Sequence, residues 1–148
     1  MKNKSSLRGN IALVLILAVI PLIGSEAEVS FTTASLSEAT MTTTVDENMQ
    51  PLDTTDVFTP DTPEIFCTFK LSNAPPDTEI KAKWVYIEGE LEDVSNYLVD
   101  DKWSTTTDCT RYISVSIIRP YDGWPKGDYK VILYVDDKEE LSVPFYVR

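Results

Sequence analysis

Carboxylates are the most numerous groups in this sequence that could do chemistry. The 148 residues include 24 Asp and Glu against 13 Lys and Arg, with no His, and the formal net charge is -11 at pH 7. Calcium prefers several carboxylate oxygens at about 2.4 Å, and two acidic runs could offer them: Glu88, Glu90, Glu92, Asp93, Asp100 and Asp101, then Asp136, Asp137, Glu139 and Glu140. Neither spacing matches a dedicated calcium loop. The sequence favours solvated acidic surfaces, with a calcium-stabilised domain as the alternative.

Enzymatic constellations are missing from the sequence. A glycosidase needs two carboxylates about 5 to 10 Å apart, but any chain this acidic offers candidate pairs. There is no Gly-x-Ser-x-Gly elbow, no Cys/His pair, no phosphate loop and no zinc spacing, and the lack of His excludes a histidine base or ligand. We therefore expect no enzyme, assign no catalytic residue or metal ligand, and expect no cofactor. A carbohydrate-active enzyme using surface carboxylates is the alternative.

The N-terminus has the pattern of a secretory signal. Lys2, Lys4 and Arg8 precede an apolar run over 11–23, and Ser25-Glu26-Ala27 supplies small residues for cleavage. An uncleaved anchor is the rival interpretation, but about 13 apolar residues fall short of the roughly 20 that span a bilayer. We predict a signal peptide over 1–27 and a secreted, extracytoplasmic protein with no membrane span after cleavage.

Signal removal makes the remaining chain more acidic. The signal carries three of the 13 cations and one of the 24 carboxylates, so ten remain against 23, and 10 − 23 gives -13. Such a surface repels nucleic acid and anionic lipid. We therefore expect no nucleic-acid partner.

Composition divides the mature chain into two parts. Residues 28–55 are rich in Thr and Ser and hold few large apolar residues, so they bury too little surface to offset the entropy of ordering. We predict a disordered stalk there. Residues 56–148 hold nearly all aromatic residues and both cysteines, and their length suits one small domain.

Apolar residues alternate with a period of two throughout this domain, which indicates strands. The pattern runs through 65–71, 80–86, 110–118, from 129 onward, and 141–147. Pro144 has no N–H to donate, which favours a sheet edge for the last strand. The segment 89–108 is acidic and irregular, either a short edge strand or a helical turn, and 136–140 reads as a hairpin loop. Together these patterns predict an all-β antiparallel sandwich of about seven strands.

Several motifs resemble a known group of domains. They are Val57-Phe58-Thr59-Pro60, the run from Leu71 to Pro76, Trp84, the run from Gly123 to Tyr129, and the terminal Phe145-x-Val147. Over residues 57 to 148 they resemble the immunoglobulin-like or fibronectin-III-like domains of secreted prokaryotic proteins with no assigned activity. The resemblance implies that Tyr129 closes a corner through its hydroxyl and that Trp84 is the core Trp.

The two cysteines could pair. In a secreted chain a Cys67–Cys109 disulfide would close a loop of about 42 residues and stabilise the fold by roughly 3 to 4 kcal/mol. The immunoglobulin pattern instead sets the second Cys at position 131, which is Val131. If the strands at 65–71 and 110–118 pair at full overlap, the sulfurs lie too far apart. Cys67 would then be a buried thiol.

Three aromatic residues fall in predicted loops and could bind. Exposed Trp103, Tyr121 and Trp124 could stack on a sugar or anchor a protein, although for Trp124 the sequence favours a ring that plugs the end of the sandwich. We therefore expect a secreted, non-catalytic module for extracellular or cell-envelope interaction. Its partner, a protein or a glycan, is not specified by the sequence.

Overall fold

The computed structural model describes residues 32–106 and 110–148, and every helix or strand assigned in them is a β-strand. The eight strands are β1 (Ser35–Thr42), β2 (Val57–Phe58), β3 (Glu64–Ser72), β4 (Thr78–Gly89), β5 (Tyr97–Thr106), β6 (Arg111–Ile118), β7 (Gly127–Val135) and β8 (Lys138–Val147). The predicted all-β class is confirmed. The predicted signal peptide over 1–27 lies outside the described residues. Within them, no helix has the length and apolarity needed to cross a bilayer.

The strands form two sheets. One has three strands in the order β1-β3-β6, and the other has five in the order β2-β8-β7-β4-β5. Neighbouring strands are antiparallel, apart from the short β2, which runs parallel to β8. Among the described residues, the strands paired on one side only are therefore β1 and β6 in the first sheet and β2 and β5 in the second.

Alternating residues from both sheets meet in one hydrophobic core. On β7, Tyr129, Val131, Leu133 and Val135 are buried while their neighbours are half-buried, as a period of two requires. Three rings form its aromatic centre. Phe145 lies edge-on to Trp84 with ring centroids 5.8 Å apart and stacks on Tyr129 at 5.0 Å. The Trp84 indole N–H has no hydrogen-bond partner among the described residues.

The predicted stalk is wrong over its described part, because residues 35–42 form β1. This strand pairs with β3 and buries Leu36 and Met41. A bulge between Ser37 and Thr40 puts Glu38 at a φ of 54°. Thr and Ser are compatible with strands, and the ladder to β3 supplies the stabilisation that the segment's own few apolar residues could not.

The irregular segment resolves into a loop and an edge strand. Residues 90–96 form the loop, and β5 is the outermost strand of the five-stranded sheet. The edge-strand alternative is therefore confirmed, although the strand has ten residues and is not short.

The last hairpin is tighter than predicted. Asp136 and Asp137, with φ values of 48° and 64°, form a two-residue turn, since Val135 already pairs with Lys138. Two positive φ values define the type I′ turn that suits a hairpin. The five-residue loop expected over 136–140 was wrong.

The last strand, β8, is not the edge strand that Pro144 predicted. The strand sits between β7 and β2, but β2 reaches only Tyr146 and Val147. The side of Pro144 away from β7 therefore needs no ladder hydrogen bond.

Cys67 is a free, fully buried thiol in the middle of β3. Its predicted disulfide partner, Cys109, lies outside the described residues, so the bridge stays a prediction. Cys67 is opposite Val115, and β6 begins at Arg111, opposite Leu71. Four residues of strand separate Cys67 from that end, about 13 Å.

Candidate functional site

The structure places the three predicted binding aromatics in different environments. Trp103 lies on β5 rather than in a loop, opposite Lys81, and is 69% exposed. Tyr121 lies in the β6–β7 connection and is fully exposed. Trp124 is only 3% exposed, and its indole N–H donates a hydrogen bond to the Thr62 carbonyl at 2.7 Å. Trp124 is thus not an exposed binding ring, which corrects that role; the ring is buried at the end of the fold, as the favoured alternative expected.

The turn before β7 is fixed by hydrogen bonds. Gly123 has a φ of 87°, and the next residue, Trp124, donates its backbone N–H to the Pro60 carbonyl at 3.0 Å. The Tyr129 hydroxyl donates to the Pro125 carbonyl, four residues back, at 2.6 Å. Burial is the main cause that raises the pKa of Tyr129, with smaller contributions from Tyr86 and Glu90. The hydroxyl therefore keeps the proton that it donates.

Above this turn lies a cavity of about 170 Å³, which we call the corner cavity. It is formed where the β4–β5 loop and the β6–β7 connection meet, and two of its rings, Tyr86 and Tyr129, pack edge to face with centroids 5.0 Å apart. Its walls are aromatic, aliphatic or proline side chains throughout: Tyr86, Leu91, Tyr97, Val99, Pro120, Trp124, Pro125 and Tyr129.

The polar atoms of the buried rings in these walls are already engaged. The Tyr86 hydroxyl accepts the Leu91 backbone N–H at 3.1 Å, and the Tyr129 and Trp124 donors bond to backbone carbonyls. The three rings therefore present carbon surfaces to the cavity. A ligand that must form many hydrogen bonds finds few partners there.

Four carboxylates lie at the end of β4 and on the β4–β5 loop. Glu88, Glu90, Glu92 and Asp93 are exposed, and the sequence has no Lys or Arg between residues 84 and 101. In the described part of the chain, no group of three or more Asp, Glu, Cys or His residues is placed to hold a metal ion. The acidic run that could have served calcium does not converge.

The β4–β5 loop is held against the corner. Glu90 donates its backbone N–H to the Lys126 carbonyl at 2.9 Å, and its Oε1 accepts the Lys126 N–H at 2.8 Å. The backbones come very close here, since a Cβ added to Gly89 would lie 2.2 Å from the Lys126 oxygen. The carboxylates are thus presented from a fixed loop.

The β5 edge is a second exposed surface. Tyr97 is 61% exposed, Leu98 is 46% exposed, and Trp103 follows further along the strand. Residues opposite each other in a ladder share a face, so Lys102, opposite Ala82, lies on the inner face of the sheet. The inner face of β5 is therefore polar where its neighbour is apolar.

The edge strands β5 and β6 border a gap between the two sheets. Between β5 and β6 lies a cavity of about 280 Å³, the β5–β6 seam, bounded by Ile80, Ala82, Ile113 and Val115 from the inner faces. Ile113 and Val115 are only half-buried. The core is therefore less completely covered here than around Phe145.

Sequence reasoning missed Tyr97 and Leu91 as site residues. Both are apolar residues within an acidic stretch, which was the available signal. The stretch has no regular alternation, so nothing in the sequence placed them on a face or brought them near Tyr129.

The described chain is thus an all-β fold of two sheets, with an aromatic cavity at one end and an open strand at one edge. No protein-family model matches the sequence, and no curated protein matches it significantly. A structure of the Pseudomonas fluorescens alkylpurine DNA glycosylase AlkC bound to DNA containing an abasic site analog is similar, with a TM-score of 0.54 and 13% identity. The match covers 80% of this chain and 31% of that one. This likeness concerns the fold alone.

Two glycosidase structures are more distant. Thermotoga neapolitana β-glucosidase 3B in complex with glucose has a TM-score of 0.48 and 11% identity, covering 79% of this chain and 16% of that one. The Trichoderma reesei β-D-glucoside glucohydrolase has a TM-score of 0.45 and 13% identity, covering 80% and 19%. The chain therefore spans less than a third of the length of each of these three proteins.

Proposed function

We propose that this chain is a secreted, non-catalytic β-sandwich module of the immunoglobulin-like or fibronectin-III-like kind that binds a partner protein outside the cytoplasm. The observation that carries the proposal is the β5 edge. This strand of ten residues exposes Tyr97, Leu98 and Trp103 beside a row of backbone groups that no described strand pairs.

Physical chemistry makes such an edge a binding surface. Open edges attract other strands, and proteins that do not use them keep them short or charged. Tyr and Trp are also the residues that dominate interface energies. On β5, Asp100 and Lys102 form an ion pair at 2.8 Å, and such charges oppose indiscriminate pairing while the aromatics remain available.

A photo-crosslinking experiment tests the module. A photoreactive amino acid replaces Trp103 in one full-length variant and Ser142, an exposed β8 residue, in the control. Each is exposed to the native extracytoplasmic fraction. We expect a discrete protein adduct from position 103 only. Adducts of equal yield from both positions, or none from either, contradict the proposal, and an adduct with a glycan replaces the protein partner with a sugar.

Secretion has its own test. N-terminal sequencing of the chain recovered outside the cytoplasm should begin near residue 28. Recovery from the cytoplasm with residues 1–27 intact would contradict the secreted assignment.

A further inference from the structure

We infer that the corner cavity seats a proline ring of a basic, extended peptide segment, whose Lys or Arg side chains face the carboxylates of the β4–β5 loop. This inference rests on the proposed function, because it names the chemistry of a partner that a binding module would take. The corner cavity is a different surface from the Trp103 position, where the proposed function is tested.

The walls of the cavity select an apolar group. Tyr86, Trp124 and Tyr129 have their polar atoms bonded within the protein, so a sugar hydroxyl placed against these rings would lose its water partners without replacement. Aromatic-lined grooves are a recurring means of binding proline-containing segments, which are already extended and lose little entropy on docking. The volume of about 170 Å³ accommodates one such ring.

Carboxylates outnumber cations at the rim of the cavity, which favours a positively charged partner. Glu90, Glu92 and Asp93 are exposed on the loop whose Leu91 lines the cavity. The loop itself contains no cation, and the exposed Lys126, whose backbone pairs with Glu90, is one cation beside these three carboxylates. Oppositely charged surfaces steer encounter and set specificity, so an acidic partner would be repelled.

The entrance to the cavity continues the β5 edge. Tyr97 lines the cavity and is also the first residue of β5, with most of its surface exposed. An extended segment seated in the cavity would therefore lie beside the open strand. The two surfaces can bind different parts of one partner.

Peptide titration of the full chain, followed by the amide NMR spectrum, tests the inference. The probe is a short peptide with two prolines between flanking lysines and arginines. Three relatives accompany it: one with the prolines changed to alanine, one with the basic residues changed to glutamate, and a mixed-order peptide of the same composition without adjacent proline and cation. We expect the probe to bind and to shift the amide resonances around Tyr97 and Leu91. Each of the three control peptides should bind with an affinity at least about fivefold lower.

Matched variants localise the binding. Two variants should each lower the affinity for the probe by about fivefold or more: Tyr97→Ala, and the double variant Glu90→Gln with Glu92→Gln. Two control variants should leave that affinity unchanged. One is Tyr121→Ala, which removes an exposed ring outside the cavity, and the other is Glu139→Gln with Glu140→Gln, near the other end of β7. Glu139 lies opposite Tyr134, seven residues along β7 from Gly127 at the corner, roughly 23 Å, beyond the Debye length of about 8 Å.

Every other outcome overturns the inference. Equal binding of the alanine relative would show that charge alone acts, and equal binding by Tyr97→Ala would place the peptide elsewhere. If none of the peptides binds, the cavity does not take a basic, proline-containing segment. A crosslink at Trp103 would then still support the proposed module, so the two failures are distinguishable.

Discussion

The middle of the five-stranded sheet and its β5 edge differ in strand pairing and in the polarity of their inner faces. β7 pairs with β4 on one side and β8 on the other, and its alternate residues are buried. β5 pairs with β4 alone and places Asp100 and Lys102 on the face where β4 carries Trp84 and Ala82. Both are long strands of the same sheet, so strand formation alone does not determine burial.

This difference separates stability from recognition. A strand contributes to the core only where the opposite sheet covers it and its inward residues are apolar. β7 and β8 meet both conditions around Phe145, whereas β5 meets neither along most of its length. The β5 edge is therefore available for binding at small cost to the fold.

The largest expected loss of stability comes from removing a core side chain on β8. Phe145→Ala removes a fully buried ring that contacts Phe58, Trp84 and Tyr129, and should lower the free energy of unfolding by about 3 to 5 kcal/mol. Trp103→Ala on β5 should change it by less than about 0.5 kcal/mol. Urea denaturation measures both, and equal losses would erase the distinction between the two regions.

A smaller effect is expected where β4 and β7 approach each other beneath the corner cavity. A Cβ at Gly127 would lie 2.4 Å from the Glu88 carbonyl oxygen, and the backbone must move to admit it. Gly127→Ala should destabilise the fold by about 1 to 3 kcal/mol. Ser142→Ala, at an exposed β8 position, is the control. A neutral Gly127→Ala would mean that this end of the sheet is as loose as β5.

The corner hydrogen bond should contribute less again. Tyr129→Phe keeps the buried ring and removes the donor to Pro125, so we expect a loss of about 0.5 to 1.5 kcal/mol. Tyr121→Phe alters a fully exposed hydroxyl and should have no measurable effect on thermal unfolding. If the two variants unfold at the same temperature, the corner bond does not hold the turn.

The Cys67 thiol should make the free energy of unfolding depend on pH only at alkaline pH. Burial raises the pKa of the Cys67 thiol from an ordinary value of 9.0 to about 12. Between those pH values the unfolded chain releases the proton and the folded chain keeps it, so stability is complete below pH 9 and declines as the pH rises. Cys67→Ala should flatten that decline.

Thiol labelling gives an independent readout of the same burial. In a Cys109→Ser variant, which leaves Cys67 as the single thiol, labelling at pH 8 should be negligible in buffer and complete in guanidinium. Rapid labelling of the folded variant would place Cys67 outside a closed core.

Sequence patterns located the strands that have one regular apolar face. The alternation through Ile65 to Leu71 and through Leu141 to Val147 corresponds to β3 and β8, because a covered face leaves a period of two in the sequence. β1 was missed because a ladder to β3 orders it, and a partner strand leaves no mark on the composition of Ser35–Thr42.

The candidate site was less predictable than the fold. The chain brings Leu91, Tyr97 and Tyr129 together through a loop and two strands, and no local pattern encodes that meeting. Trp103 was expected in a loop because its segment lacks alternation. The strand forms regardless, because its backbone pairs with β4 while neither face requires apolar residues.

The most direct test of the account is residue-resolved hydrogen exchange of the free, full-length chain. Alternate amides of an antiparallel strand point to opposite sides, so the β5 amides facing away from β4 should exchange rapidly while β7 amides exchange only through global unfolding. Protection of those outward β5 amides equal to that of β7 would mean that the edge is already covered, and would contradict its role as an open binding surface.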